Sequence, residues 1–122
     1  MAKPVSPYVY PGVPDNGLYS MYDPVHRICL ELGLNTNDIK SPSRKIDVVK
    51  WRSAMCVALH IFGWKVVELG RFTNRDHSSI THYNRKHNAN LKHWIGYKTC
   101  FQECIRVITE LGLTEPIKEE ST

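Results

Sequence analysis

The 122-residue sequence lacks several features that would point to a common function class. It has no uninterrupted apolar run near the ~20 residues that span a bilayer, so we expect no membrane partner. It has no G-x-x-x-x-G-K-[ST] loop, whose backbone cradles nucleotide phosphates, so we predict neither nucleotide binding nor ATPase activity. The first residues contain no apolar block, which argues against a secretory signal and favours a cytoplasmic protein.

The spacing of the cysteines does not fit a metal site. The four cysteines are Cys29, Cys56, Cys100 and Cys104. They form no C-x-x-C pair, and no paired C-x-x-C and H-x-x-x-H spacing occurs. Without a secretory signal, a disulfide framework is not expected either. We interpret the four as ordinary buried thiols and predict no metal and no cofactor.

Acidic residues are rare in the middle of the chain. Between Arg44 and Lys92, ten basic residues face three acidic ones, a net charge of +7. The remainder has six basic and nine acidic residues, a net charge of −3. A basic centre between acidic flanks favours a polyanionic partner, although a solvated basic face would give the same count.

Apolar residues recur at helical spacing over most of the chain, which predicts an all-α fold of about five or six helices. Asp23 and Pro24 mark a helix start, and Gly33 marks its end. A short helical turn is expected near Asp38. Further helices are predicted over 47–62, 65–71, 76–91 and from Trp94 to just before Gly112.

The domain organisation follows from the same pattern. Four prolines within residues 1–20 exclude a stable helix there and predict an extended or disordered arm rich in tyrosine. Residues 21–113 are predicted to form one helical domain, and 114–122 a polar tail. Within the domain, a helix, a glycine turn, a short helix, a second turn and a polar-faced helix follow one another. That order is typical of a helix-turn-helix bundle whose last helix enters the major groove of DNA.

Four short motifs in this order resemble the carboxy-terminal DNA-binding domain of the bacterial replication initiator DnaA. They are S-R-K at 43–45, R-S-A-M at 52–55, E-L-G at 68–70 and R-D-H-S-S-I-T-H at 75–82. The last is the most specific, and the resemblance covers roughly residues 22–93. Two turns are one residue shorter than is usual in the family, and Ser78 follows the histidine where the family has threonine.

The resemblance implies a role for each matching position. The loop arginine would enter the minor groove, the first turn of the last helix would face bases in the major groove, and further cations would hold phosphates. These three sets are Arg44; then Asp76, His77 and Ser78; then Lys45, Arg52 and Arg75. Ser79 is also expected to bind DNA. General chemistry agrees, since arginine suits a narrow minor groove and aspartate can accept from a cytosine amino group.

Simpler interpretations of several residues stay open. Asp76 would also serve as a helix cap alone, and Arg75 as the ion-pair partner of Asp76 or Glu68. Histidines 82 and 87 would fit packing or solvated positions, and tryptophans 64 and 94 the core or its edge. The letters D-H-S at 76–78 do not form a catalytic triad, because neighbouring residues on a helix point in different directions. We therefore predict no catalytic residues.

The sequence thus predicts a non-enzymatic protein that binds double-stranded DNA with some sequence preference. The resemblance implies a role at a replication origin, in initiation or its regulation, with replication proteins as further partners. Because the ATPase motif of a full initiator is missing, we expect a stand-alone domain such as a phage or mobile element encodes. The alternatives are a protein-interaction or assembly module and a transcriptional regulator.

Overall fold

The computed structural model describes residues 23–114, and this part of the chain is built from helices alone. In chain order the helices are α1 (Pro24–Leu32), α2 (Thr36–Lys40), α3 (Ile46–Ile61), α4 (Val66–Thr73), α5 (His77–His93) and α6 (Tyr97–Leu111). No strand occurs within 23–114, which confirms the predicted all-α class. The six helices found there agree with the predicted five or six. The predicted arm over 1–20 and all of the predicted tail beyond residue 114 lie outside the described residues.

The first helix begins and ends as the sequence predicts. The Asp23 side chain accepts hydrogen bonds from the backbone amides of Val25 at 2.8 Å and His26 at 3.3 Å. These contacts satisfy two of the amides that a helix start leaves without partners. At the other end Gly33 adopts a left-handed conformation with φ of 72°, which closes the helix.

Helix α3 is the centre of the bundle and packs against each of the other five helices. Eight consecutive residues, from Arg52 to Leu59, are buried. A helix that is buried all round has no solvent face to carry alternating charges, and its sequence is accordingly apolar on nearly every side.

Helices α4 and α5 form the predicted helix-turn-helix pair. Asn74 ends α4 in a left-handed conformation with φ of 57°, and Asp76 caps the start of α5. Asparagine is one of the few residues other than glycine that adopts this conformation readily. Helix α5 continues to His93, past its predicted end at residue 91.

The last predicted helix starts later than the sequence suggested. Gly96 has a φ of 85° and separates the two helices, so α6 begins at Tyr97. Trp94 lies before this break and ends α5 instead of starting α6. The Trp94 ring stacks on the Tyr97 ring with 5.8 Å between centroids. Because Trp94 packs beside the first residue of α6, the apolar pattern of the sequence included it in that helix.

The four cysteines are buried and unpaired, as predicted. Burial raises the pKa of Cys29 to about 11 and that of Cys56 to about 12. Thiols with such pKa values hold little thiolate near neutral pH, so they are poor nucleophiles. They act as small apolar core residues.

None of the helices within residues 23–114 is both long enough and apolar enough to cross a membrane.

A buried ion pair joins three helix ends. The Lys40 ammonium contacts the Asp23 carboxylate, and the two side chains are 5% and 3% exposed. The same ammonium donates to the backbone carbonyl of Phe72 at 2.5 Å. The start of α1, the end of α2 and the end of α4 therefore meet at one cation. Burial raises the pKa of Asp23, while the charge of Lys40 opposes that shift.

We predict that Lys40→Met lowers the free energy of unfolding by about 3–5 kcal/mol, because it leaves the Asp23 carboxylate buried without its counter-charge. Chemical denaturation followed by circular dichroism measures the change. The control is Lys98→Met, since Lys98 is exposed on α6 and its replacement should change stability by less than about 0.5 kcal/mol. Equal stability of the two variants would contradict a structural role for the pair.

Candidate nucleic-acid interface

One cleft brings together most of the residues that the sequence marked for DNA binding. It has a volume of about 790 Å³ and lies between the loop that follows α2 and the first two turns of α5. Six of the eight predicted residues line it: Arg44, Arg52, Arg75, Asp76, Ser78 and Ser79. Lys45 and His77 lie beside it without lining it.

Arg52 occupies a different position from the one that phosphate binding requires. Its side chain is buried, with 2% of the residue exposed. Nε donates to the carbonyl of Ile39 at 2.8 Å, and Nη2 lies within hydrogen-bond distance of three further carbonyls, those of Ser41 at 3.0 Å, Ser43 at 3.2 Å and Asp38 at 3.3 Å. We therefore correct its expected role. A guanidinium that satisfies four carbonyls holds the loop in place.

Arg75 also connects the helix-turn-helix to this loop. Its guanidinium Nη2 donates to the Ser41 carbonyl at 2.5 Å, and its backbone amide donates to the Gly70 carbonyl at 2.7 Å. The side chain is half-buried and lines the cleft. The loop thus holds Nη2 of the Arg75 guanidinium, while the residue still lines the cleft.

The turn between α4 and α5 is attached to the same segment. The side-chain amide of Asn74 donates to the Lys40 carbonyl at 3.4 Å, close to the Arg75 contact with Ser41. Asn74 is 4% exposed. The turn and the loop therefore share their anchoring points, so the start of α5 has a fixed position relative to the loop.

Hydrogen bonds between residues two or three apart in the chain set the conformation of the loop. The Ser41 hydroxyl donates to the Asp38 carbonyl at 2.7 Å and accepts from the Ser43 amide at 3.1 Å. The Ser43 hydroxyl in turn accepts from the Lys45 amide at 3.2 Å. Serine hydroxyls commonly stabilise turns in this way. Arg44 is exposed at the tip of this ordered loop.

The first turn of α5 has a capping arrangement that also defines its surface chemistry. Asp76 Oδ2 accepts from the Ser78 amide at 3.2 Å and from the Ser78 hydroxyl. These hydrogen bonds lower the pKa of Asp76. Asp76 Oδ1 lies 3.7 Å from His77 Nδ1, and the two side chains are 69% and 62% exposed. Capping therefore occupies one carboxylate oxygen and leaves the other open to solvent.

Several cleft residues were missed by the sequence analysis. His82 and Tyr83 line the cleft one turn beyond Ser78 and Ser79. The signal was present in the spacing, because residues four apart share a helix face. His82 is exposed, which agrees with one of its open interpretations.

Trp64 and His87 have packing roles. Trp64 is 8% exposed, and its indole nitrogen donates to the Leu113 carbonyl at 2.6 Å, which confirms a core position. His87 Nδ1 lies 2.7 Å from the Tyr97 hydroxyl, and its ring packs 4.5 Å from that of Phe101. Burial lowers the pKa of His87.

Within 23–114, no three side chains of the metal-ligating types histidine, cysteine, aspartate and glutamate come close enough to hold an ion.

Gly70 lets the two helices of the helix-turn-helix approach closely. A Cβ at this position would lie 2.6 Å from the carbonyl oxygen of Arg75 and 3.4 Å from the amide nitrogen of His77. Both atoms belong to backbone, so relief requires a shift of the start of α5. The glycine thus sets the distance between α4 and the cleft-lining turn.

We predict that Gly70→Ala lowers the free energy of unfolding by about 1–3 kcal/mol, the usual cost of forcing atoms into a packed site. Thermal and denaturant unfolding measure the effect. The control is Thr99→Ala, which changes an exposed position on α6. If Gly70→Ala proves as stable as this control, the close approach does not constrain the fold.

Comparison with known proteins gave no match: no family model, curated protein or solved structure resembles the chain closely enough to be assigned.

Proposed function

We propose that the chain is a non-enzymatic protein that binds double-stranded DNA through its helix-turn-helix, with a preference for certain sequences. The observation that carries the proposal is a cleft that has Arg44 on one side and the first turns of α5 on the other. The motif resemblance to the DnaA DNA-binding domain supports the same assignment of sides.

The cleft lies between the two elements that we assign to the two grooves of duplex DNA. If Arg44 enters the minor groove and α5 enters the adjacent major groove, the phosphate chain between the grooves passes through the cleft. Arg75 and the hydroxyls of Ser43 and Ser79 would line its path. Cations and hydroxyl donors are the groups that contact phosphate oxygens in protein–DNA interfaces.

Base recognition is assigned to the first turn of α5. The free oxygen of Asp76 can accept from the amino group of cytosine. The hydroxyl of Ser78 donates to Asp76, so towards a base it acts as an acceptor. His77 is exposed beside them and can add a further contact.

Arg52 is assigned a positioning role. Because it holds the loop carbonyls from Asp38 to Ser43, it would act on DNA only through the placement of Arg44. Phosphate contacts are assigned instead to Arg75 and to the exposed Lys45.

The biological setting rests on the family resemblance alone. It favours replication initiation or its regulation, at an origin and with replication proteins as partners, in a phage or mobile element. Transcriptional regulation is the alternative with the same DNA chemistry. Selection from a random oligonucleotide pool with the purified full chain tests the shared proposal. Recovery of one enriched motif supports it, and a pool that stays random opposes it.

We expect Arg44→Ala to weaken binding to the selected duplex by about 1–3 kcal/mol while the thermal midpoint stays unchanged. The side chain is exposed and forms no ion pair within the described residues, so its removal leaves the fold intact. Fluorescence anisotropy measures the affinity. Lys98→Ala removes a positive charge from α6, outside the cleft, and serves as the control. Equal losses in both variants would mean that the loop does not touch DNA.

We expect Asp76→Asn to change base preference without loss of stability. Asparagine caps helices as well as aspartate does, but its amide also donates, so one preferred base pair should change by roughly tenfold in relative affinity. Binding to the selected site and to its single-base variants measures the preference. The control is Thr99→Ala, an exposed position on α6 outside the cleft, which should leave the base preference unchanged. A uniform loss on every duplex would place this turn away from the bases.

A further inference from the structure

The outer face of α5 remains basic well beyond the cleft. Arg85, Lys86 and Lys92 are all exposed, and Ala89 lies between them. Arg85, Ala89 and Lys92 follow one another at spacings of four and three residues and share one helix face, and Lys86 borders that face. We call these three cations with Ala89 the basic stripe.

The sequence around this stripe lacks acidic residues. Residues 77–102 include no aspartate or glutamate. None of the three cations forms an ion pair within the described part of the chain, although ion pairs occur elsewhere in it. On the exposed face of α6, by contrast, Arg106 pairs with Glu103 at 2.7 Å and Glu110 at 2.9 Å. Alternating charges such as those on α6 are typical of a simply solvated face, and the stripe departs from that pattern.

The stripe continues the line of the cleft along the same helix. Ser78 and His82 line the cleft, and Lys86 follows one turn later at the same spacing. At 1.5 Å per residue, Arg85 lies about 10 Å and Lys92 about 21 Å along the axis from Ser78. The major groove is only about 12 Å wide. If the first turn of α5 enters this groove, a residue about 10 Å further along the helix, such as Arg85, lies near the edge of the groove.

We infer that the basic stripe is a second contact surface for DNA, which binds phosphates at the far edge of the groove that the first turn of α5 enters. This inference rests on the proposed function. The small side chain of Ala89 permits close approach of the helix to the phosphate chain. Contacts to phosphates carry no sequence information, so the stripe would add affinity on every duplex and no base preference.

The test compares two charge-matched double variants of the full chain. Arg85→Gln with Lys86→Gln removes two cations of the stripe, and Lys98→Gln with Arg106→Gln removes two cations from α6. Affinities are measured on the selected duplex and on a scrambled duplex across a salt series. The stripe variant should lose on the order of tenfold affinity on both duplexes, and its slope of log K against log salt should fall by about 2. The control should keep the wild-type slope.

Each result decides one part of the argument. A wild-type chain that binds neither duplex overturns the proposed function and this inference together. A wild-type chain that prefers the selected duplex, with a stripe variant of unchanged affinity and slope, overturns only the inference. Equal losses in the two double variants would also overturn it, because net charge would then explain the effect. A changed base preference in the stripe variant would place the stripe at the bases instead of the phosphates.

Discussion

The arrangement of the whole site depends on the need of buried cations for partners. Arg52 and Lys40 lie inside the bundle at 2% and 5% exposure, where an unpaired charge would cost several kcal/mol. Both meet this need with backbone carbonyls, and Lys40 also with the Asp23 carboxylate. The carbonyls come from the end of α2, the following loop and the end of α4. These segments are therefore held in place because two buried cations need their carbonyls as hydrogen-bond acceptors.

This constraint explains how a loop can hold an arginine at a defined place without a large apolar anchor. The loop itself contributes little to the core, since Pro42, Arg44 and Lys45 are exposed. Its position is fixed by hydrogen bonds from two arginines to the Ser41 carbonyl. Arg52 donates from α3, and Arg75 donates from the turn before α5. Both sides of the cleft are consequently held in a fixed relation, so under the proposed function DNA would meet a preformed surface with a low cost of ordering.

The sequence predicted those parts of the fold that depend on local chemistry. The Asp23 and Asp76 caps, the Gly33 stop and the turn at 74–76 all arise from residues close in the chain. The role of Arg52 could not be predicted in this way, because its carbonyl partners lie 9 to 14 residues away and become close only when α2 packs on α3. For the same reason an arginine inside an apolar helix resembled a phosphate ligand until its burial was known.

In the first turn of α5, one local contact caps the helix and also sets the surface that we propose for base recognition. A carboxylate with two oxygens can cap a helix with one and present the other, and Asp76 does so beside an exposed His77. Because Ser78 donates to the same carboxylate, its hydroxyl and the open oxygen of Asp76 have a fixed relative position. Both present acceptor lone pairs outward from the helix start. The helix dipole favours an anion such as the Asp76 carboxylate at this end. On the proposed function, this helix start would offer acceptors to the amino groups of bases, while the surrounding cations would attract the phosphates.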